Sequence, residues 1–118
     1  MNKLVAFGIL AVVVLVSGVG ALVYRASTSP AYVQVSIANY AFSPNNLTVQ
    51  AGTVVRWMNF DGVGHTVTFG GHDSMGAGMD SGLMGHMGTF STTFTEPGVY
   101  EYHCDPHPYM TGTVVVTE

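Results

Sequence analysis

Glu96-Pro97-Gly98-Val99-Tyr100-Glu101-Tyr102-His103-Cys104-Asp105-Pro106-His107-Pro108-Tyr109-Met110 decides how the chain folds. Pro97 and Gly98 suit the two central places of a type II turn after Glu96. From Val99 to Cys104 the side chains alternate, with Tyr100, Tyr102 and Cys104 on one side and Val99, Glu101 and His103 on the other. That is the period of a half-buried strand. The strand runs out into a short loop holding the only cysteine, His107 three residues later and Met110 three beyond that. A thiolate, an imidazole and a thioether so close together favour a soft metal ion. Pro106 and Pro108 fix their own φ and narrow the choices of Asp105 and His107 before them. The loop is therefore expected to be set before a metal arrives.

The same two-residue period continues outward. Val33, Val35 and Ile37 alternate with Gln34, Ser36 and Ala38, the turn formers of Asn39 to Asn46 interrupt, and Leu47-Thr48-Val49-Gln50 resumes. Ala51-Gly52 marks another turn. Thr53 to Asn59 is a further strand, whose Val55-Trp57-Asn59 face is expected inside because Arg56 lies on the other. His65 to Phe69, Thr89 to Phe94 and the valine-rich Thr111 to Thr117 complete the set. Short strands separated by turn signals, with no amphipathic helix, predict an all-β fold, an antiparallel β-sandwich over residues 32–118.

A trigonal Cys-His-His set with a weak axial Met is the arrangement of blue-copper electron-transfer sites. The loop supplies all of it but one histidine. His65 opens a strand directly after the Asp61-Gly62-Val63-Gly64 turn and shares its face with Val67 and Phe69. His103 should point away from Cys104, and His72 and His86 lie in an irregular stretch. His65, Cys104, His107 and Met110 are therefore the expected metal ligands, holding one copper that cycles between Cu(I) and Cu(II).

Val55-Arg56-Trp57-Met58-Asn59, His65 and the run from Thr93 to Met110 together resemble the plastocyanin/amicyanin group of cupredoxins, over about Tyr32 to Glu118. Two residues separate Cys104 from His107 and two separate His107 from Met110, nearer to the short loop of amicyanin. The resemblance implies a Greek-key sandwich, a type 1 copper on those four residues, and a monomeric electron carrier rather than an enzyme. It further implies that the edge of His107 reaches the surface within a ring of Pro106, Pro108 and Tyr109, where a redox donor and acceptor dock. The group commonly carries Asn after its first His. Here Thr66 stands there, with a hydroxyl able to make one of the amide's hydrogen bonds.

Charged residues are only 8% of the 118, partly because Leu4 to Tyr24 carry none. That run would span about 32 Å as a helix, enough to cross the hydrocarbon core of a bilayer. Residues 1–25 are expected to be a hydrophobic helix serving as membrane anchor. Its length favours that over a signal peptide cleaved near Val19-Gly20-Ala21. Either exports the domain to the periplasm or the outer face of the cell membrane, and residues 26–31 read as a linker. From Ala26 onward Arg56 stands alone against seven acids, a net charge of about −6 that argues against nucleic acid as a partner. One cysteine excludes an intramolecular disulfide. It also excludes a binuclear copper centre, and Asp105 stands where a multicopper oxidase relay would need a second histidine beside the cysteine.

Gly70 to Gly88 holds His72, Met75, Met79, Met84, His86 and Met87. Thioethers with imidazoles can bind copper(I), so an auxiliary copper site, and with it a role in copper delivery, is the alternative reading. A flexible surface connection whose methionines pack over the sandwich is the plainer one.

Overall fold

A computed structural model describes residues 31–71 and 74–118. The apolar run at 4–24, most of the linker, and His72 lie outside the described residues. Among the described residues no helix is long and apolar enough to cross a membrane.

The described residues form eight strands: β1 (Tyr32–Ala38), β2 (Ala41–Ser43), β3 (Asn46–Gln50), β4 (Thr53–Asn59), β5 (Thr68–Phe69), β6 (Thr89–Phe94), β7 (Gly98–His103) and β8 (Thr111–Thr117). They make two four-stranded sheets, ordered β2-β1-β4-β6 and β3-β8-β7-β5. The all-β expectation holds, but the sandwich is not purely antiparallel. β1 runs parallel to β4, with Val35 opposite Trp57, and β3 runs parallel to β8, with Val49 opposite Val116. After the β1–β2 hairpin the chain crosses to the second sheet as β3 and returns as β4, entering beside β1 in the same sense. Alternation has the same period in either sense, so it does not carry this information.

The inward faces meet in one core. Val35 and Ile37 of β1, Val55 and Trp57 of β4, Tyr100 and Tyr102 of β7, and Val114 and Val116 of β8 are all buried. Trp57 is ringed by Phe69, Phe90, Phe94 and Tyr102, with centroids between 5.4 and 6.4 Å away, in the range where aromatic pairs add to simple burial. Tyr102 in turn lies against Gly112 of β8, where any Cβ would overlap its phenol.

Three local expectations need correcting. Gly98 has a φ of +155° and already pairs with Val116, so the corner is no type II turn, which would place it near +80°. The corner is closed instead by the Tyr100 hydroxyl, which donates to the Glu96 carbonyl at 2.6 Å. Only Thr68–Phe69 of the His65–Phe69 segment pairs with β7. The remaining backbone groups need partners elsewhere, and the Gly70–Gly88 stretch supplies several of them. His65 and Met84 exchange two backbone bonds of 3.1 and 2.8 Å, Ser81 N–H donates to Val67, and Phe69 N–H donates to Met79. That stretch is thus a tied cover along the β5 edge rather than a loose connection. Lastly, Ala41–Ser43 forms a strand within a stretch expected to be all turn, pairing with β1 from Ser36 to Ala38.

Candidate metal centre

Three donor atoms converge at one end of the sandwich. His65 follows the 61–64 turn, Cys104 stands directly past β7, and His107 lies in the loop between β7 and β8. The two Nδ1 atoms are 3.2 Å apart, and Cys104 Sγ is 3.6 Å from that of His65 and 3.5 Å from that of His107. A point equidistant from all three lies about 2 Å from each, close to the bond lengths that imidazole nitrogen and thiolate sulfur give a first-row transition ion. His65 and Cys104 are fully buried and His107 half-buried. Two borderline nitrogens and one soft sulfur in a triangle fit copper.

The loop that carries two of these groups is closed by its own backbone. His107 N–H donates to Cys104 O at 3.2 Å, Met110 N–H to His107 O at 2.8 Å, and Cys104 N–H to Met110 O at 3.1 Å. Met110 is buried, while Pro106, Pro108 and Tyr109 are exposed around half-buried His107.

His65 is held from behind by a carboxylate. Its Nε2 lies 2.9 Å from Asp61 Oδ2, so Nε2 carries the proton and Nδ1 is left with its lone pair facing the triangle. Asp61 also accepts the backbone N–H groups of Asn39 at 2.7 Å and Tyr40 at 3.0 Å. Led by the Tyr40 bond, these contacts hold its carboxyl below the usual range against the opposing effect of desolvation. Asn59, fully buried, shares its amide protons among the carbonyls of Val63, Met84 and Gly85, and its Oδ1 accepts from Asp61 N–H. One side chain thereby ties together the two loops behind His65.

The sequence reading missed Asn59, Asp61 and Tyr40. Asn59 had a signal, a polar residue in phase with the buried face of β4. Asp61 looked like any turn aspartate, and nothing in the pattern linked Tyr40 to a histidine 25 residues on.

The methionines of the cover have separate occupations. Met84 is buried in the core, and Met75 and Met79 pack against it. Met75 sulfur fills the space beside Gly98, and Met79 sulfur accepts from Thr92 at 3.7 Å. Met87 and His86 are exposed, the latter with Nδ1 3.3 Å from the Asp61 carbonyl. Packing accounts for three of the four methionines.

Comparison with known proteins agrees with this chemistry. Residues 30–117 match the family model for copper binding proteins of the plastocyanin/azurin family. Over 82 residues the chain is 39% identical to amicyanin of Paracoccus denitrificans, covering 70% of this chain but only 63% of that protein. Over 87 residues it is 37% identical to amicyanin-alpha of Methylorubrum extorquens, covering 70% of each. The solved structure of a proline-to-glycine variant of amicyanin, in its reduced Cu(I) form, matches with a TM-score of 0.68 at 37% identity, over 76% of this chain and 86% of that one. With one family model accounting for residues 30–117 and more than a third of aligned positions shared with two amicyanins, the chain belongs to the plastocyanin/azurin family of copper-binding proteins, as a cupredoxin of the amicyanin/plastocyanin type.

Proposed function

We propose that this protein is a type 1 copper protein that carries single electrons between redox partners outside the cytoplasm. The observation that carries the reading is the triangle of His65 Nδ1, His107 Nδ1 and Cys104 Sγ, in which Asp61 holds His65 and the Thr66 N–H points at the sulfur. These three would hold a copper ion, with the buried Met110 thioether as a further, weaker donor. A copper ion bound there supplies the one-electron couple. The protein's own part is to offer Cys104 as a thiolate, keep both Nδ1 lone pairs free, and change little between redox states. The closed loop and the Asp61 carboxylate serve that last requirement.

Electrons would pass through His107, the one half-buried member of the triangle, to donors and acceptors docking on Pro106, Pro108 and Tyr109. The domain at 32–118 is read as a monomeric Greek-key unit, delivered by residues 1–25 and spaced by 26–31, with the membrane reached through 4–24 where that segment is retained. Voltammetry of the copper-loaded protein, repeated in the presence of a copper(I) chelator, tests the reading. A single reversible one-electron wave that survives many cycles is expected. Rapid surrender of copper to the chelator would point to delivery instead.

A further inference from the structure

Asn39 and Tyr40 are the two central residues of the β1–β2 hairpin, closed by the pairing of Ala38 with Ala41. Both have positive φ, 54° and 58°, as a type I′ turn requires. Asn accepts that conformation readily, but the second place favours glycine, and a tyrosine there is strained. Such strain persists only where the surroundings enforce it, and often marks a functional site. Here they do. Asp61 accepts the N–H of both residues, and the same Oδ2 that binds Tyr40 N–H accepts from His65 Nε2. The turn is thereby fastened to the metal centre through one carboxylate.

The fastening aims a ring. Tyr40 stands almost perpendicular to both imidazoles, with centroids 5.3 Å from His65 at 88° and 4.9 Å from His107 at 82°. These are favourable edge-to-face contacts. The two imidazoles are themselves 4.9 Å apart, so the three rings form one cluster. Tyr40 is 41% exposed, and its ring packs against those of two of the three donors. His107, on a short loop and only half-buried, has most to gain from a neighbour that stops its ring from turning.

We propose that Tyr40 is a positioning residue of the metal centre, an aromatic cover clamped by Asp61 over His65 and His107 that holds the His107 imidazole in its metal-binding orientation and keeps water from it. The inference rests on the copper reading above. A merely structural tyrosine would be dispensable here in a specific way. Tyr40→Gly turns the hairpin into Asn-Gly, the pair best suited to a type I′ turn, so the fold should keep or improve its thermal midpoint while losing the ring. Tyr40→Phe keeps the ring.

Two measurements on the full chain decide the matter. Side-chain NMR relaxation of His107 in the metal-free protein should show greater ring motion in Tyr40→Gly than in the wild type or Tyr40→Phe. Copper(I) affinity, read by competition with a chelator, should fall about tenfold or more in Tyr40→Gly, as when other groups that orient a metal ligand are removed. Tyr40→Phe should bind like the wild type. Unchanged His107 motion and affinity in Tyr40→Gly, or a Tyr40→Phe protein as impaired as Tyr40→Gly, would overturn the proposal. A wild-type chain that binds no copper would overturn the underlying copper reading instead, and the metal-free NMR comparison would still decide whether Tyr40 orders His107.

Discussion

The Thr66 hydroxyl accepts a hydrogen bond from the Asp105 backbone N–H at 2.8 Å, joining the segment that carries His65 to the loop that carries Cys104. The Thr66 N–H points at Cys104 Sγ from 3.4 Å, so one residue grips both the sulfur and the peptide after it. A directed chain extends beyond. Thr68 Oγ1 donates to Asp80 Oδ1 at 3.2 Å, which leaves the Thr66 hydroxyl proton for Thr68 at 2.9 Å. Thr66 thus acts through a hydroxyl and a backbone N–H, with a second threonine as its next partner.

Thr66→Val keeps the shape of that residue and removes its hydroxyl. The Asp105 N–H then loses its partner, and the metal-free protein should lose about 1–3 kcal/mol. The effect should appear as a lower denaturant midpoint with an unchanged slope, and Thr66→Ser should restore most of it. An unchanged midpoint in the valine variant would mean that the bond contributes little.

Burial pushes the Tyr102 phenol up to about 12 from its ordinary 10.0. The folded state then keeps a proton that the unfolded chain gives up, so this contribution to stability is complete below about pH 10 and is lost as pH rises through about 12. Tyr100, raised by burial and then by the Glu96 charge, acts in the same direction. Metal-free Tyr102→Phe should therefore lose stability less steeply than the wild type above about pH 10. Parallel stability curves would contradict this.

Gly112→Ala places a methyl group where the Tyr102 ring already lies. Overpacking of this kind should cost about 1–3 kcal/mol, measured by chemical denaturation of the metal-free protein. Gly52→Ala is no control, because Gly52 has a φ of +96°, whereas Gly62→Ala, with open space around the added carbon, should change little.

Met110→Leu tests the proposed thioether donor. Met110 is buried, and the swap nearly conserves volume, so the stability cost should stay under about 1.5 kcal/mol. Loss of a weak thioether donor removes electron density that favours the oxidised ion, so the reduction potential should rise. An unchanged potential would remove Met110 from the proposed ligand set.

Val35, Trp57 and Tyr102 could be placed on inward faces from their alternation with polar neighbours, because a strand with one face in a core must repeat every second residue. The cluster of His65, Cys104 and His107 was legible for a different reason. Few chemistries need a cysteine, a histidine and a methionine within seven residues, and His65 was the one remaining histidine at a strand start beside a turn. What alternation hides is direction and partnership. The parallel pairing of β1 with β4, the bond from Tyr100 to Glu96, and the short extent of β5 all depend on which segments meet in space. Asp61 and Tyr40 act on His65 through a tertiary contact between two turns, which leaves no periodic trace. Met84 was hidden because a buried residue in a glycine-rich cover has no regular neighbours to set its phase.

The most direct test is the visible spectrum and copper content of the oxidised, copper-loaded protein, recorded beside Cys104→Ala. We expect one copper per chain and an intense blue or purple colour in the wild type, because a thiolate bound to Cu(II) in this geometry absorbs visible light. The variant should lack that band. A wild-type protein that holds one oxidised copper yet stays colourless would contradict the type 1 centre built on His65, Cys104 and His107.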